Sequence, residues 1–475
     1  MIDVQLYIDG QWTDGSEGRR FSVDNPATGE LMGRAIDASA ADVDAAISAA
    51  ERASKGWAST FVAQRAEILT KIYEDLMAHQ DELARLLTEE EGKSLKEARS
   101  EVAYGARFFR FYASDVWRIE GDTLPQPGPD RAVWTTKVPI GVTVLITPWN
   151  YPLAMICRKM APALAAGCPV IVKPAEQTPL VAARLFEVLA AAGLPAGVVN
   201  LVTGDPNRIG PLLLEDARVR KISFTGSTAV GQVILRHAAS HIASVSLELG
   251  GNAPFIVFDD VDLDQVVEAI LSCKFRNAGQ ICVAANRIYV QRNILSALGE
   301  RLGQAVTQLR VGDGLEADTV IGPLINQEAV EKVTSHVQNA VGAGARVVVG
   351  GQTLQRPGYF YAPTVLTDVH ESMQLALEET FGPVAPLFAF DSEEEVFERA
   401  NRTKFGLAAY VFTRDLGRAM RAAAALEFGM VGINDPVPSL AEVPIGGMKE
   451  SGLGREGGHE GLAEFLETKY VSVRW

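Results

Sequence analysis

From Gly141 onward the chain alternates two hydrophobic patterns. Short apolar runs at Val142–Thr147, Val170–Lys173, Val198–Val202, Lys221–Phe224 and Ser244–Leu249 read as buried strands. Between them, Leu153–Ala165, Leu180–Ala192, Ile209–Leu214 and Ala229–His237 carry apolar residues at helical spacing. Strands joined by helices argue for a parallel sheet with crossover connections, the Rossmann-like layout, with ligands beyond the carboxyl ends of the strands. A second α/β run starts near Pro254, with strands expected at Phe255–Phe258, Arg287–Val290, Arg346–Val349, Val384–Phe390, Ala408–Phe412 and Met430–Ile433. Before Gly141 the pattern is different. Gln5–Ile8 and Phe21–Val23 read as short strands, and Ala41–Ala53, Val62–Glu91 and Lys96–Ile119 as helices. The last helix carries an aromatic stripe, Tyr104, Phe108, Phe109 and Tyr112, which its spacing assigns to the core. Gly121–Arg131 is a Pro/Gly-rich break followed by extended Ala132–Lys137. Tyr470–Trp475 is a strand with no partner nearby in sequence, leaving Ala132–Lys137 or another subunit as its neighbour.

Composition narrows the function classes. The 475 residues are 47% hydrophobic and 22% charged, which is globular and excludes a disordered or fibrous chain. A formal net charge of −15 with no basic block disfavours nucleic acid and anionic membrane surfaces as partners. Four cysteines without a CxxC, and six histidines without an HExxH, give no disulfide framework and no metal site. The N-terminus shows no basic region followed by an apolar core, so a cytoplasmic, reducing compartment is expected.

Chemistry-bearing residues cluster at the expected strand ends. Lys173 and Glu176, in Lys173-Pro174-Ala175-Glu176, can donate to and accept from ribose hydroxyls, and equally fit a surface Lys and a helix-start Glu. Glycines at 204, 210, 226 and 231 permit phosphate approach but do not spell GxGxxG, and fit plain tight turns as well. Glu248 sits between two leucines before Gly250-Gly251, where burial would raise its pKa toward a general-base value. Cys282 lies among small and polar residues, unlike Cys157, Cys168 and Cys273 in apolar periodic segments. Taken singly, a lone cysteine nonetheless fits core packing better than catalysis. Asn150 at another strand end suits either an oxyanion donor or a helix cap.

In combination these residues are specific. The segments Thr147–Pro152 (TPWNYP), Lys173–Pro179 (KPAEQTP), Phe224–Ser227 (FTGS), Leu247–Gly251 (LELGG), Asn277–Cys282 (NAGQIC) and Glu379–Pro383 (ETFGP) occur in that order, with GGMKESG near the C-terminus. Over essentially its whole length the chain resembles the NAD(P)-dependent aldehyde dehydrogenase superfamily. The resemblance implies Cys282 as nucleophile, Glu248 as general base, and Asn150 with the Cys282 N–H as oxyanion hole. It implies cofactor contacts from Thr147, Pro148, Trp149, Lys173, Ala175, Glu176, Gly210, Phe224, Thr225, Gly226, Ser227, Leu249, Glu379 and Phe381, and a place for Glu456 in proton relay. Glu176 would repel a ribose 2′-phosphate, favouring NAD over NADP. The implied α/β fold has a Rossmann-like cofactor domain (1–116 and 140–248), an α/β catalytic domain with a parallel sheet (249–461), and a small β oligomerisation extension (117–139 and 462–475). A homodimer or homotetramer follows from that extension.

Two arginines narrow the substrate. Arg158 lies eight residues after Asn150 and Arg276 six before Cys282, in segments that should line an aldehyde tunnel. Guanidinium forks there would clamp a substrate carboxylate, whereas structural ion pairs are the competing reading. The contexts CRKMAPALAAGC and KFRNAGQIC are similar to succinate-semialdehyde dehydrogenases, with Ser439 as a third candidate contact. Glutarate semialdehyde and a broad-specificity enzyme remain open. Ala284 stands where many of these enzymes carry a second cysteine, and Ile281 where Thr is common. A CoA-acylating relative usually lacks the general-base Glu, and a scaffold would not need Cys282, Glu248 and Asn150 together.

Overall fold

The computed structural model describes residues 2–475. Its centre is an eight-stranded sheet in the order Gly452–Leu453, Ser244–Glu248, Lys221–Thr225, Thr143–Ile146, Val170–Lys173, Val199–Leu201, Leu6–Ile8, Gln11–Thr13. The strands from Ser244–Glu248 to Val199–Leu201 are mutually parallel. Their neighbours at either side run antiparallel. Val170–Lys173 and Lys221–Thr225 are buried at every position. That is why they read as unbroken apolar runs rather than alternating ones. Strand order reverses at Thr143–Ile146, leaving a crevice beside Lys221–Thr225 where α/β sheets receive ligands.

A second sheet of seven strands runs Arg346–Val349, Thr364–Thr367, Val384–Phe390, Ala285–Gln291, Ala253–Val257, Ala408–Phe412, Met430–Ile433. All its pairings are parallel except that of the edge strand Arg346–Val349. Thr364–Thr367 and Leu31–Ile36 are strands that the hydrophobic pattern did not announce; each is short, and the second contains Gly33 and Arg34.

The C-terminal strand finds its partner within the chain. Leu466–Arg474 pairs antiparallel with Arg131–Pro139 over nine residues. Of the two neighbours open to it, the intrachain one is occupied. Helix boundaries follow local chemistry. Pro152, Pro179 and Pro206 open helices at the first turn, where a missing N–H costs nothing. Ser39 and Asp42 form a reciprocal capping box at Ala40–Ala58. The expected helix Val62–Glu91 is broken at His79 into Val62–Ala78 and Gln80–Glu91. Among the described residues no helix is long and apolar enough to cross a membrane.

Candidate active site

A cleft of about 1220 Å³ opens at the carboxyl ends of Lys221–Thr225 and Ser244–Glu248 and is closed on its far side by segments that connect strands of the second sheet. Pro148, Trp149, Asn150, Thr225, Gly226, Ser227, Glu248 and Leu249 line it from the first sheet. Arg276, Cys282, Glu379, Phe381 and Ser439 line it from the second half of the chain, and Arg158 reaches it from helix Pro152–Ala166. Six separate sequence segments therefore converge on one cavity.

Cys282 is half-buried, while Cys157, Cys168 and Cys273 are fully buried, as their apolar contexts predicted. The segment before it is unusual. The helix from Leu263 widens into a π-type turn at Leu271–Phe275, and Asn277, Ala278 and Gly279 then take φ of 50°, 53° and 75°. Left-handed backbone at two non-glycine residues costs on the order of 1–3 kcal/mol each and needs external support. Asn277 provides it: its N–H donates to Glu97 Oε1 at 3.0 Å, and its amide to Glu91 Oε1 at 2.8 Å and to the Asn150 carbonyl at 3.1 Å. Gly279 and Gly251 permit close approach. A Cβ at the first would lie 2.1 Å from the Gly382 carbonyl oxygen, and at the second 2.3 Å from that of Cys282.

Asn150 is fixed to the same scaffold. Lys93 Nζ donates to its carbonyl at 2.7 Å and to Glu101 Oε2 at 2.5 Å. Glu101 Oε1 in turn accepts the first N–H groups of the following helix, from Leu153 and Ala154. The Asn150 side-chain amide donates one hydrogen to the Gln280 carbonyl at 2.8 Å, which leaves its second hydrogen free. Glu91, Lys93 and Glu101 are fully buried and Glu97 lines the cleft. Sequence reasoning passed over this group. Its signal was Glu97 and Glu101 four residues apart on the face of the helix that also carries Tyr104 and Phe108. Tyr104 itself departs in part from the core assignment of its stripe. Phe108, Phe109 and Tyr112 are buried; Tyr104 is partly buried against the core, edge-on to Phe108, and also lines the cleft with Arg158.

Two carboxylates compete for one guanidinium. Arg158 Nε and Lys159 Nζ both hydrogen-bond Glu456, which also accepts from Ser223 Oγ at 3.3 Å. Glu248 Oε2 lies 3.8 Å from Arg158, and its Oε1 is buried without a partner. Burial raises the Glu248 pKa to about 8, with the Glu456 charge adding to the rise and Arg158 and Lys159 opposing it. Burial also acts on Glu456, but the two cations hold it below the ordinary carboxylate range. Arg158 is thus engaged by a carboxylate, as the structural ion-pair reading required, while still lining the cleft. Arg276 differs. It sits beside Tyr151 and Glu97, makes no direct ion pair among the described residues, and leaves Nε buried without a partner.

The thiol of Cys282 is pushed up to about 12 by burial, with Arg158 pulling it down and Glu379 and Glu248 raising it further. Glu379 Oε1 accepts the Gly251 N–H at 3.1 Å, and burial lifts its pKa to about 7. Phe381 meets Trp149 edge-on, with ring centroids 5.6 Å apart.

The remaining predicted positions lie around the crevice. Lys173 and Glu176 pair with each other at the end of their strand, beside Gln177, which lines the cleft. The Ala175 carbonyl accepts the Thr178 N–H in that turn. Thr147 and Thr225, on the two strands flanking the topological switch, bury hydroxyls with no partner. Ser227 caps helix Thr228–Ala238, and the Phe224 ring folds over Gly226. Unpartnered hydroxyls at 147 and 225 and the helix N-terminus at Ser227 suit a nucleotide cofactor, whereas Gly210 is buried within helix Pro206–Leu214 and does not line the cleft. Among the described residues no group of His, Cys, Asp and Glu could hold a metal ion.

Residues 12–471 match the model of the aldehyde dehydrogenase family. The chain is 50% identical to a 3-sulfolactaldehyde dehydrogenase of Pseudomonas putida, covering 100% of this chain and 97% of that protein. It is 50% identical to the NADP(+) succinate-semialdehyde dehydrogenase of Escherichia coli (strain K12), covering 99% and 97%. The crystal structure of succinate-semialdehyde dehydrogenase from Burkholderia pseudomallei superposes with a TM-score of 0.98 at 48% identity, covering 99% and 98%.

Proposed function

The chain belongs to the aldehyde dehydrogenase family and oxidises aldehydes with NAD(P), and from that premise we propose that its substrate is an aldehyde with a distal carboxylate, succinate semialdehyde first. The carrying observation is Arg276: a half-buried guanidinium without a direct ion pair, its Nε buried and unpartnered, lining the same cleft as Cys282. Glu97 lies near enough to favour its charge but does not hydrogen-bond it, so the fork is left for a ligand carboxylate to satisfy. Ser439, lining the same cleft, is a further donor. The 3-sulfolactaldehyde enzyme among the relatives is named for a substrate whose distal anion is a sulfonate, so the shared requirement is a terminal anion.

In this reading the Cys282 sulfur, once deprotonated, attacks the aldehyde carbon and the carbonyl oxygen becomes an oxyanion. The free hydrogen of the Asn150 amide and the Cys282 N–H stabilise it. A nicotinamide held beside Glu379 and Phe381 would supply the hydride acceptor for that carbon. Glu248 then removes a proton from water, which attacks the resulting thioester and releases the carboxylic acid and the thiol. A carboxyl with pKa about 8 is well matched to this step near neutral pH. Lys173 and Glu176 hold the adenosine ribose, and Glu176 favours NAD over NADP. Thr147, Pro148, Trp149, Ala175, Phe224, Thr225, Gly226, Ser227 and Leu249 form the rest of the cofactor groove, with Glu379 and Phe381 at its nicotinamide end. The two large sheets serve as cofactor and catalytic units. The ribbon of Arg131–Pro139 and Leu466–Arg474, with exposed Trp134, Tyr470 and Val473, joins subunits of a cytoplasmic homo-oligomer.

The test is steady-state cofactor reduction across succinate semialdehyde, glutarate semialdehyde, 3-sulfolactaldehyde and butanal, with and without CoA. The highest kcat/KM with succinate semialdehyde, unchanged by CoA, is expected. A preference for butanal would refute the terminal-anion reading, and dependence on CoA would refute hydrolysis.

A further inference from the structure

The loop Glu378–Pro383 carries Glu379, Thr380 and Phe381 into the cleft. Phe381 adopts a φ of 55°, a left-handed conformation that is unfavourable for a bulky residue, so the loop depends on its neighbours for its shape. In front, Gly251 and Trp149 meet Glu379 and Phe381. Behind, helix Gln327–Gly342 presses two side chains against it. Val333 fills the space beside Gly382, where a Cβ would fall 2.3 Å from Val333 Cγ2. One turn further on, His336 is only 1% exposed. Its Nδ1 lies 3.2 Å from Thr380 Oγ1, in a hydrogen bond, and its buried Nε2, which makes no hydrogen bond, lies 3.5 Å from Glu378 Oε2. The imidazole therefore touches the residues on both sides of Glu379 without itself lining the cleft.

We propose that His336 is a positioning residue for the cofactor: by gripping Thr380 and Glu378 from behind, it fixes the Glu379 carboxylate and the Phe381 ring for the nicotinamide end of NAD(P). The inference rests on the reading of Glu379 and Phe381 as cofactor contacts. A neutral imidazole has one donor and one acceptor nitrogen, so Nδ1 can accept from Thr380 while Nε2–H stays directed toward the Glu378 carboxylate without a full hydrogen bond. Thr380 Oγ–H donates to Nδ1, and Nε2–H faces the Glu378 carboxylate. The charged groups around it are Lys332 on its own helix, Glu378 on the loop, and Lys274 on the turn that leads to Cys282. Burial and then Lys332 act against protonation while Glu378 favours it, and the net direction is downward, so the ring is neutral at pH 7. A histidine that merely filled the core would support stability without distinguishing cofactor from aldehyde.

The experiment uses the full-length enzyme with His336→Leu, His336→Asn and His336→Gln, and Glu379→Gln as comparator. Cofactor affinity is measured by direct titration, with separate KM values for cofactor and aldehyde. Iodoacetamide alkylation of Cys282 reports the cofactor-free cleft. Leucine should weaken cofactor binding roughly tenfold, the loss of one buried hydrogen-bonding group. Aldehyde KM and alkylation should stay within about twofold, because those groups lie elsewhere in the cleft. Asparagine, whose amide replaces Nδ1 beside Thr380, should restore most of the affinity; glutamine, which reaches only toward Nε2, should not. Equal losses in cofactor and aldehyde KM, or full affinity in the leucine variant while Glu379→Gln loses it, would overturn the proposal. If leucine prevents folding, equal affinities of the asparagine and glutamine variants would overturn it. Unchanged binding in Glu379→Gln would instead overturn the site reading beneath it.

Discussion

Arg158 and Arg276 occupy equivalent places in a sequence argument and different places in the structure, and replacing each by Leu separates the two. Arg276 makes no direct ion pair, so its removal breaks no hydrogen-bonded pair and costs Glu97 only a more distant attraction. A charged hydrogen bond to a substrate carboxylate is worth about 1.5–3 kcal/mol, roughly a ten- to hundredfold loss of kcat/KM for succinate semialdehyde. Butanal should be spared or improved, because an unpaired guanidinium no longer opposes apolar substrate. Arg158 is bonded to Glu456, with both side chains 6% exposed. Removing one partner of a buried pair costs about 3–5 kcal/mol, so Arg158→Leu should unfold at lower temperature. Arg158 is also an influence that lowers the Glu248 pKa, so its loss should move the alkaline rise in activity above pH 8. The assay is cofactor reduction at 340 nm (roughly the reduced-nicotinamide band) with both aldehydes, beside thermal unfolding. Equal losses for charged and neutral aldehydes in Arg276→Leu, at unchanged stability, would refute the reasoning.

Cys282→Ala should abolish turnover while retaining cofactor binding by titration; near-normal turnover would remove the covalent step. Glu248→Gln should leave a burst of reduced cofactor followed by slow turnover, and an equal fall in both phases would reassign Glu248 to thiol activation. In wild type, steady-state turnover limited by Glu248 should rise toward pH 8, since a base with raised pKa is protonated and inactive below it. Glu176→Ser should narrow the preference for NAD over NADP measured as kcat/KM; a wild-type preference for NADP would contradict that role. Alkylation of Cys282 in the cofactor-free enzyme should climb about tenfold per pH unit without a plateau below pH 10, because its thiol sits near 12.

The sheets were legible because their central strands are buried on both faces and their helices are not. Val170–Lys173 and Val384–Phe390 are bounded identically by pattern and by structure, since nothing but burial decides them. Thr364–Thr367 was not legible: four residues following Ala362 and Pro363 carry too little period to distinguish strand from loop. The cleft residues were legible through motifs, which record side chains that touch ligands. What supports those side chains left a weaker trace. Glu91, Lys93 and Glu101 look like a charged, solvated stretch, and their burial depends on Asn150 and Asn277 arriving from distant segments. His336 is invisible for the same reason, as its partners lie more than 40 residues away.

The arrangement of Glu248, Arg158 and Glu456 explains how one buried site can hold two carboxyl groups in different protonation states. Both are almost fully enclosed, so burial alone would push both upward. Arg158 and Lys159 hydrogen-bond Glu456 directly, while Glu248 receives only the longer 3.8 Å contact. Glu456 therefore carries the charge, and its charge makes ionisation of Glu248 harder still. The same asymmetry leaves the buried Glu248 Oε1 with no protein partner, on a residue that lines the cleft. A base for water needs that state: neutral often enough to be restored after each turnover, unbonded so that water can reach it, and beside a charge that does not drift with pH. Had Arg158 bonded Glu248 instead, the carboxylate would be permanently ionised, fully partnered, and too weak a base to deprotonate water.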